Sequence, residues 1–227
     1  MTKITYLGHS CFKIEREGAQ IVTDPFLTYN PLASAKPDQL SPNLILVSHA
    51  HGDHMGDAAS ISQRTGAPVL AIFETAGRAA QAGAKTVGAG YGGTVSFDFG
   101  KVKLVPAWHS SSFGDEFQYA GNPCGFVIMF PDITIYDAGD TTVFGDMKLI
   151  AEVTPIDIAL LPIGGHYTMG VDDAVKAVEL LKPKVVIPMH YNTLPEIRQD
   201  PQEFKDKVES RLKTKVVILK PGESYTA

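Results

Sequence analysis

A chain of 227 residues suits one large α/β domain, and nothing in it forces a division, so a single domain spanning 1–227 is expected. Hydrophobic residues make up 44% and charged residues 20%, which gives material for a sizeable core and excludes a disordered or fibrous chain. The formal net charge of -5 supplies no basic field for a polyanion and argues against nucleic acid as a partner.

In chain order, the β-branched runs KITYL, CFKIE, QIVTD, LILVS, PVLAI, TVSFDF, KVKLVPA, FVIMF, ITIYDA, DIALLP, KVVIPM and KVVIL read as strands. The turn signals EREGAQ, GYGG, DFGK and FPDI between early and middle runs point to hairpins in mixed or antiparallel sheet. Helices are expected from about Asp57 to Arg64, Glu74 to Ala82, Gly145 to Ala151, Asp172 to Leu181 and Pro201 to Leu212. Asp172 is the expected N-cap of the fourth, which puts Ala174, Val175, Val178 and Leu181 on one face; the fifth spaces Phe204, Val208 and Leu212 four apart. Many strands with a few one-sided helices fit two facing sheets with helices outside, an α/β architecture. Leu27 to Pro42, rich in Pro, Ser and Asn, is the one long irregular loop, the kind that often serves as a functional lid.

No run approaches the roughly 20 apolar residues of a membrane helix, and the opening MTKITYLGHSCF lacks a signal-peptide stretch. The expectation is a cytoplasmic protein with no membrane span. Parity would allow Cys11 and Cys124 one bridge, but a reducing compartment favours free buried thiols.

The chemistry is concentrated in LILVSHAHGDHMGD, where His49, His51, Asp53 and His54 fall within six residues at the end of an apolar run. Independent residue frequencies would produce HxHxDH in roughly 4 of 10,000 chains of this composition. Alternate residues in extended chain point the same way, so His49 and His51 can grip one ion. Past a turn permitted by Gly52, Asp53 and His54 can reach a second ion about 3.5 to 4 Å from the first. The bland reading, histidines solvating a surface turn, leaves four donors at ligand spacing unexplained.

The segment SHAHGDH resembles the signature of the metallo-β-lactamase superfamily, and the resemblance runs along nearly the whole chain. Asp24 in IVTDP resembles the early strand-end aspartate of that family, His109 in VPAWHSS its third-motif histidine, Asp140 in IYDAGDT its bridging carboxylate and His190 in VIPMHYN its last histidine. Taken by position alone, Asp140 could equally cap a helix. Asp137 reads as structural. YLGHSCF, DPF, PIGGHYTM and PMHYNT look like a small-chain branch of poorly characterised metal-dependent hydrolases, similar to ascorbate-phosphate lactonases and to the phospholipase D acting on N-acyl phosphatidylethanolamines.

The resemblance implies a four-layer αββα sandwich with its site at the sheet edges. It also implies two divalent metal ions, Zn or Mn foremost with Ni, Co or Fe open, held by His49, His51, Asp53, His54, His109, Asp140 and His190. Asp24 would orient the cluster by accepting an imidazole N–H. A metal-bound hydroxide would attack an ester, lactone or phosphoester of a small-molecule substrate, with Asp53 holding the water and shuttling its proton. Two histidines fall outside the family's common ligand set. His9 is either ordinary turn sequence between two strands or a near-metal residue. His166, freed by Gly164 and Gly165, is expected to contact substrate as an orienting group or proton donor.

Two rival functions stand beside hydrolysis: iron-dependent oxidoreduction on the same fold, and a non-catalytic metal-binding module. Iron-pair flavoproteins of the superfamily carry a glutamate where this chain has His51, which favours hydrolysis. Homo-oligomerisation is left open.

Overall fold

The computed structural model describes residues 1–227. Its first half comprises β1 (Lys3–Gly8), β2 (Cys11–Arg16), β3 (Ala19–Thr23), β4 (Leu44–Leu46), α1 (Gly52–Met55), α2 (Ala58–Thr65), β5 (Val69–Ile72), α3 (Phe73–Gln81) and β6 (Thr86–Ala89). The second comprises β7 (Thr94–Phe97), β8 (Gly100–Pro106), β9 (Ser112–Phe113), β10 (Gln118–Tyr119), β11 (Cys124–Met129), β12 (Thr134–Asp137), α4 (Met147–Val153), β13 (Ile158–Pro162), α5 (Val171–Leu181), β14 (Val185–Met189), α6 (Pro201–Glu209), β15 (Lys215–Val216) and β16 (Ser224–Thr226).

The strands form two seven-stranded sheets, in the orders β16-β1-β2-β3-β4-β5-β6 and β15-β14-β13-β12-β11-β8-β7, the first built from six first-half strands and the returning β16, while β9 and β10 form a separate hairpin. The halves follow one plan. An antiparallel meander, β1-β2-β3 in one and β7-β8-β11-β12 in the other, leads into parallel strands, β3-β4-β5-β6 and β12-β13-β14-β15. The parallel strands of each sheet therefore end along one edge. Chain crossing from sheet to sheet closes the molecule, since β16 returns to pair with β1.

Three apolar interfaces define four layers. The central cluster takes Phe12, Leu44, Leu46 and Leu70 from the first sheet and Leu104, Phe126, Leu160 and Ile187 from the second. One outer cluster packs Ile45, Val47 and Val69 on α2 and α3 residues such as Ile61 and Ala79; the other packs Val127, Tyr136 and Val186 on Val175, Val178 and Phe204. This is why the strands read as continuous apolar runs: Leu44 and Leu46 face the central core while Ile45 and Val47 face the helices, so both faces are dry. The αββα sandwich follows.

Five expected helices are present, two ends as expected and the others shifted by one to three residues, which terminal fraying accounts for. The caps of α6 and α5 differ, and of the two only the Asp172 cap was expected from the sequence. Asp200 accepts the Gln202 N–H at 2.9 Å and starts α6 with Pro201 in the first turn. Asp172 does not cap α5: Gly170 occupies the cap position and Asp172 pairs instead with Lys207 at 2.7 Å. GYGG is not a hairpin turn either, because β6 and β7 lie in different sheets and the segment carries the chain between halves. The loop from Leu27 to Pro42 is held on the body: the Asp57 carboxylate accepts from the Leu27 and Thr28 amides and the Thr28 hydroxyl, and Leu27 and Leu40 are buried. Cys11 and Cys124 are free and buried. No helix is long and apolar enough to cross a membrane.

Candidate metal centre

Strand ends of both sheets supply the site. Asp24 follows β3, His49 follows β4 by three residues, His109 follows β8, Asp140 follows β12 and His190 follows β14. His51 is extended (φ -60°, ψ 147°) at the start of α1, and that single turn lifts Asp53 and His54 past it. The turn needs no special conformation at Gly52, contrary to expectation; the positive φ falls at Gly56, where a Cβ would meet the Pro25 backbone at 2.5 Å.

Three groups of side chains have ligand atoms within 4.8 Å of one another: His49, His51 and His109; His9, Asp53, His54 and His190; and His49, His54 and Asp140. In the first, His49 Nε2 lies 2.9 Å from His51 Nδ1. Asp140 Oδ2 lies between the first two groups, 3.2 Å from His54 Nε2, 3.1 Å from His190 Nε2 and 3.6 Å from His109 Nε2. Asp140 caps no helix, since α4 begins at Met147.

A buried hydrogen-bond network orients the first-half imidazoles. Asp24 Oδ1 accepts the Ser48 amide and Oδ2 accepts the Ser48 hydroxyl, both at 2.7 Å, and Oδ2 also accepts His54 Nδ1–H at 2.7 Å. With its proton committed to Asp24, the Ser48 oxygen accepts His49 Nδ1–H at 3.0 Å. One carboxylate thus fixes the tautomer of two imidazoles and leaves the Nε2 lone pair of each facing the cluster. Ser48 went unnoticed in the sequence, although it directly precedes His49. So did Ser111, whose hydroxyl receives the Ala50 amide at 3.2 Å and ties the loop after His109 to the HxHxDH turn.

The donor set fits a cation. Burial holds His49 well below the usual imidazole range and lowers His51 and His109. For Asp53, burial opposes ionisation, but the neighbouring His54 and His9 outweigh it and hold the carboxyl far down; at Asp140 burial is likewise outweighed, by His190 and His54. Neutral imidazoles and ionised carboxylates are the ligand forms. At His54, burial is overcome by Asp140, Asp24 and Asp53, which raise its value, so a cation there would displace a proton. His54 Nε2, His190 Nε2 and Asp140 Oδ1 are buried without a hydrogen-bond partner. Leaving each unsatisfied costs about 1–3 kcal/mol, and a shared cation would satisfy all three.

The backbone is strained here. His9 (φ 60°), Asp24 (φ 36°) and His190 (φ 54°) all lie in the left-handed region that non-glycine residues rarely occupy. Gly139 and Gly164 permit close approach: a Cβ on Gly139 would meet Ser48 Cβ at 2.6 Å, and one on Gly164 would collide with the His190 carbonyl.

The structure therefore brings together Asp24, His49, His51, Asp53, His54, His109, Asp140 and His190. It also brings in His9, which occupies the β1-β2 turn, is fully buried, and faces Asp53. His9 is thus turn sequence that also lies beside the donor cluster. His166 is exposed, stacks edge-on against Tyr167 and belongs to none of the three groups. A further feature escaped sequence reading because it depends on exposure. All seven exposed aromatic residues, Tyr29, Phe73, Tyr91, Trp108, Phe117, Tyr119 and Tyr167, lie on segments at the site end of the sheets.

Fold and site define a class of metallo-hydrolase, and the family described as Beta-lactamase superfamily domain matches residues 3–190. The chain belongs to that superfamily and, within it, to the UPF0173 metal-dependent hydrolases. A UPF0173 metal-dependent hydrolase of Pyrococcus furiosus is 57% identical over 99% of each chain, and one of Pelotomaculum thermopropionicum is 53% identical over 98% of each. Among solved structures, a metallo hydrolase from the hyperthermophilic archaeon Ignicoccus hospitalis is 43% identical, with a TM-score of 0.90 over 99% of this chain and 97% of its own. The protein is a metal-dependent hydrolase.

Proposed function

We propose that the enzyme hydrolyses an ester, lactone or phosphoester of a small cytoplasmic molecule at a centre of two divalent ions, Zn or Mn. The observation that carries this reading is the pair of donor groups flanking Asp140, which lies within 3.6 Å of imidazoles from both. His49, His51 and His109 would hold one ion, Asp53, His54 and His190 the other, with Asp140 shared. Such a pair, when bound, lowers the pKa of a shared water toward ~7 and polarises the electrophile.

The remaining steps belong to side chains. Asp53, one-third exposed, would orient water and accept its proton. Asp24 and Ser48 keep His49 and His54 in the ligating tautomer. Trp108, next to His109 and tied through its amide to Thr141 Oγ1 at 3.0 Å, and Tyr167 across the same threonine, offer apolar surface to the part of the substrate that does not react. The amide of Met169, on the Tyr167 loop, bonds the Thr141 carbonyl at 3.2 Å, which ties the segments that carry both aromatic residues to the residue after Asp140.

His166, on that loop, is proposed to orient substrate or protonate a leaving group. His166→Ala should keep its metals and folding while losing roughly 10²- to 10⁴-fold in kcat/KM. Unchanged activity would remove it from the site.

The reaction class is tested by elemental analysis coupled to an anaerobic screen of lactones, phosphodiesters, phosphomonoesters, thioesters and β-lactams. Turnover restored by Zn or Mn, with close to two ions per chain, is expected. Activity that needs both iron and dioxygen would overturn hydrolysis in favour of oxidoreduction, and a chain that binds metal but turns over nothing would be a binding module.

A further inference from the structure

We infer that His9 is a positioning residue for Asp53, set in its working tautomer by Thr193, and is not itself a metal ligand. The inference rests on the dinuclear reading above and assigns a role to the histidine that falls outside the usual ligand set.

Proximity alone would make His9 a fourth ligand beside Asp53, His54 and His190. Its hydrogen bonds argue otherwise. His9 Nε2 lies 3.1 Å from Asp53 Oδ2, and Nδ1 lies 3.0 Å from Thr193 Oγ1. An ionised carboxylate only accepts, so Nε2 carries the proton and donates it to Asp53; Nδ1 then accepts the Thr193 hydroxyl proton. In this form both ring nitrogens are engaged and no lone pair remains for a cation.

Asp53 needs such a partner. It sits on a helix of one turn, and the bond from His9 is the only hydrogen bond its carboxylate makes within the protein. His54 Nε2 and His190 Nε2 both stand off at 4.0 Å. Without His9 the carboxylate would be free to rotate into solvent. With Oδ2 held, Oδ1 is left for an ion or its water.

His9 also reaches across the molecule through its backbone. Its carbonyl accepts the His190 amide at 2.8 Å and the Tyr6 hydroxyl at 3.0 Å, and these bonds need the left-handed φ of 60°. The β1-β2 turn of the first half thus fixes Asp53 by side chain and His190 by main chain. Those are donors to the same ion from opposite halves. The β14 loop answers with Thr193, so the contact is mutual. The leftover histidine of GHS is explained as the piece that sets the two halves in register around one metal position.

The test reads the tautomer directly. In Zn-loaded protein with ¹⁵N-labelled histidine, long-range ¹H–¹⁵N spectra should show His9 protonated at Nε2 with neither nitrogen metal-bound. A His9 protonated at Nδ1 with Zn on Nε2 would overturn the inference. Variants give a second route. His9→Gln retains an N–H donor at similar reach and should bind two ions per chain, whereas His9→Ala should weaken one ion by roughly 10- to 100-fold, the scale seen when an outer partner of a ligand is removed. Thr193→Ser should behave as wild type, and Thr193→Val should lower kcat with both ions retained. Equal and complete loss of one ion in His9→Gln and His9→Ala would mark a ligand. If His9→Ala does not fold, the spectrum and the His9→Gln and Thr193→Val proteins still decide. Wild-type protein that takes up no metal under any loading would sink the dinuclear reading instead, while the tautomer in metal-free protein would still test the His9–Asp53 bond.

Discussion

The two halves share a plan but support the ligands proposed for them differently. In the first half, three of the four donors are propped from behind, His49 by Ser48, His54 by Asp24 and Asp53 by His9, while His51 meets only His49 at 2.9 Å. In the second half, His190 Nδ1 and Asp140 Oδ1 are buried with no partner, and the imidazole of His109 makes no hydrogen bond beyond its 3.6 Å approach to Asp140. The first half holds its geometry without a cation. The second is the half a cation would complete, because its donors otherwise face only other donors of the cluster, His54 of the first half included. The contrast teaches how such a site could accept metal on the proposed reading: half of it stands mostly formed, and the other half would complete around what it binds.

The largest effect tests the shared carboxylate. Asp140→Asn keeps the volume but removes the charge between the donor groups, so metal content should fall well below two ions per chain and kcat/KM by at least about 10³-fold, more than one lost electrostatic donor usually costs. Retention of both ions with near-normal activity would show that the halves do not meet at Asp140. Removal of metal by chelation gives a related reading. Hydrogen exchange should quicken at residues 107–111, 138–142 and 189–193 and change much less at 47–56. Equal loosening at all four segments would erase the distinction between halves.

A smaller effect is expected from the supports. Asp24→Asn leaves the ligands in place but replaces an acceptor of three hydrogen bonds with a group that has one acceptor oxygen, and Ser48→Ala cuts the link to His49. Each should weaken metal binding by roughly 10- to 100-fold, measured by competition with a chromogenic chelator. Affinities within a factor of two of wild type would mean that the first half is no better supported than the second.

The same difference explains what could be read from sequence. First-half ligands come from one strand end and one helical turn, so they compress into SHAHGDH and are visible by spacing alone. Second-half ligands come from β8, β12 and β14, separated by dozens of residues, and only their resemblance to a motif series linked them. The αββα layers were legible because strands dry on both faces read as continuous apolar runs. The short β9, β10 and β16, and the weakly apolar β6, were not legible, since their pairing depends on tertiary position and not on local pattern. Ser48, Ser111 and Thr193 were invisible for another reason: a hydroxyl's role is decided by what lies within 3 Å of it. His166 was singled out by its glycines. Topology suggests why that loop drew attention: β13 is the second-half counterpart of β4, so Gly164-Gly165-His166 stands where the first half carries His49 to His54. The fold repeats the strand end without repeating the ligands.

The last effect is on stability and not on metal, and concerns two buried carboxylates, one from each half, whose charges interact. Asp24 accepts three hydrogen bonds, whereas Asp137, at the end of β12, accepts one from the Gly139 amide at 3.2 Å and leaves Oδ2 buried and unpartnered. Burial first, and the nearby charge of Asp24 second, push Asp137 up to about 7. Its value in the unfolded chain is the ordinary one, about 3.9. Between those two values the folded protein holds a proton that the unfolded chain has released, so this group makes stability fall as pH rises from about 4 to about 7 and has no further effect above. Asp137→Asn keeps an acceptor for Gly139 and cannot ionise. It should therefore gain stability over wild type at pH 8, by at most about 4 kcal/mol for a shift of three pH units, and lose that advantage near pH 4. Denaturant midpoints of the two proteins at both pH values, compared by difference, isolate this group from everything else that titrates. A difference that does not change with pH would mean that Asp137 is ionised in the fold, and that the second half supports its buried carboxylate as fully as the first supports Asp24.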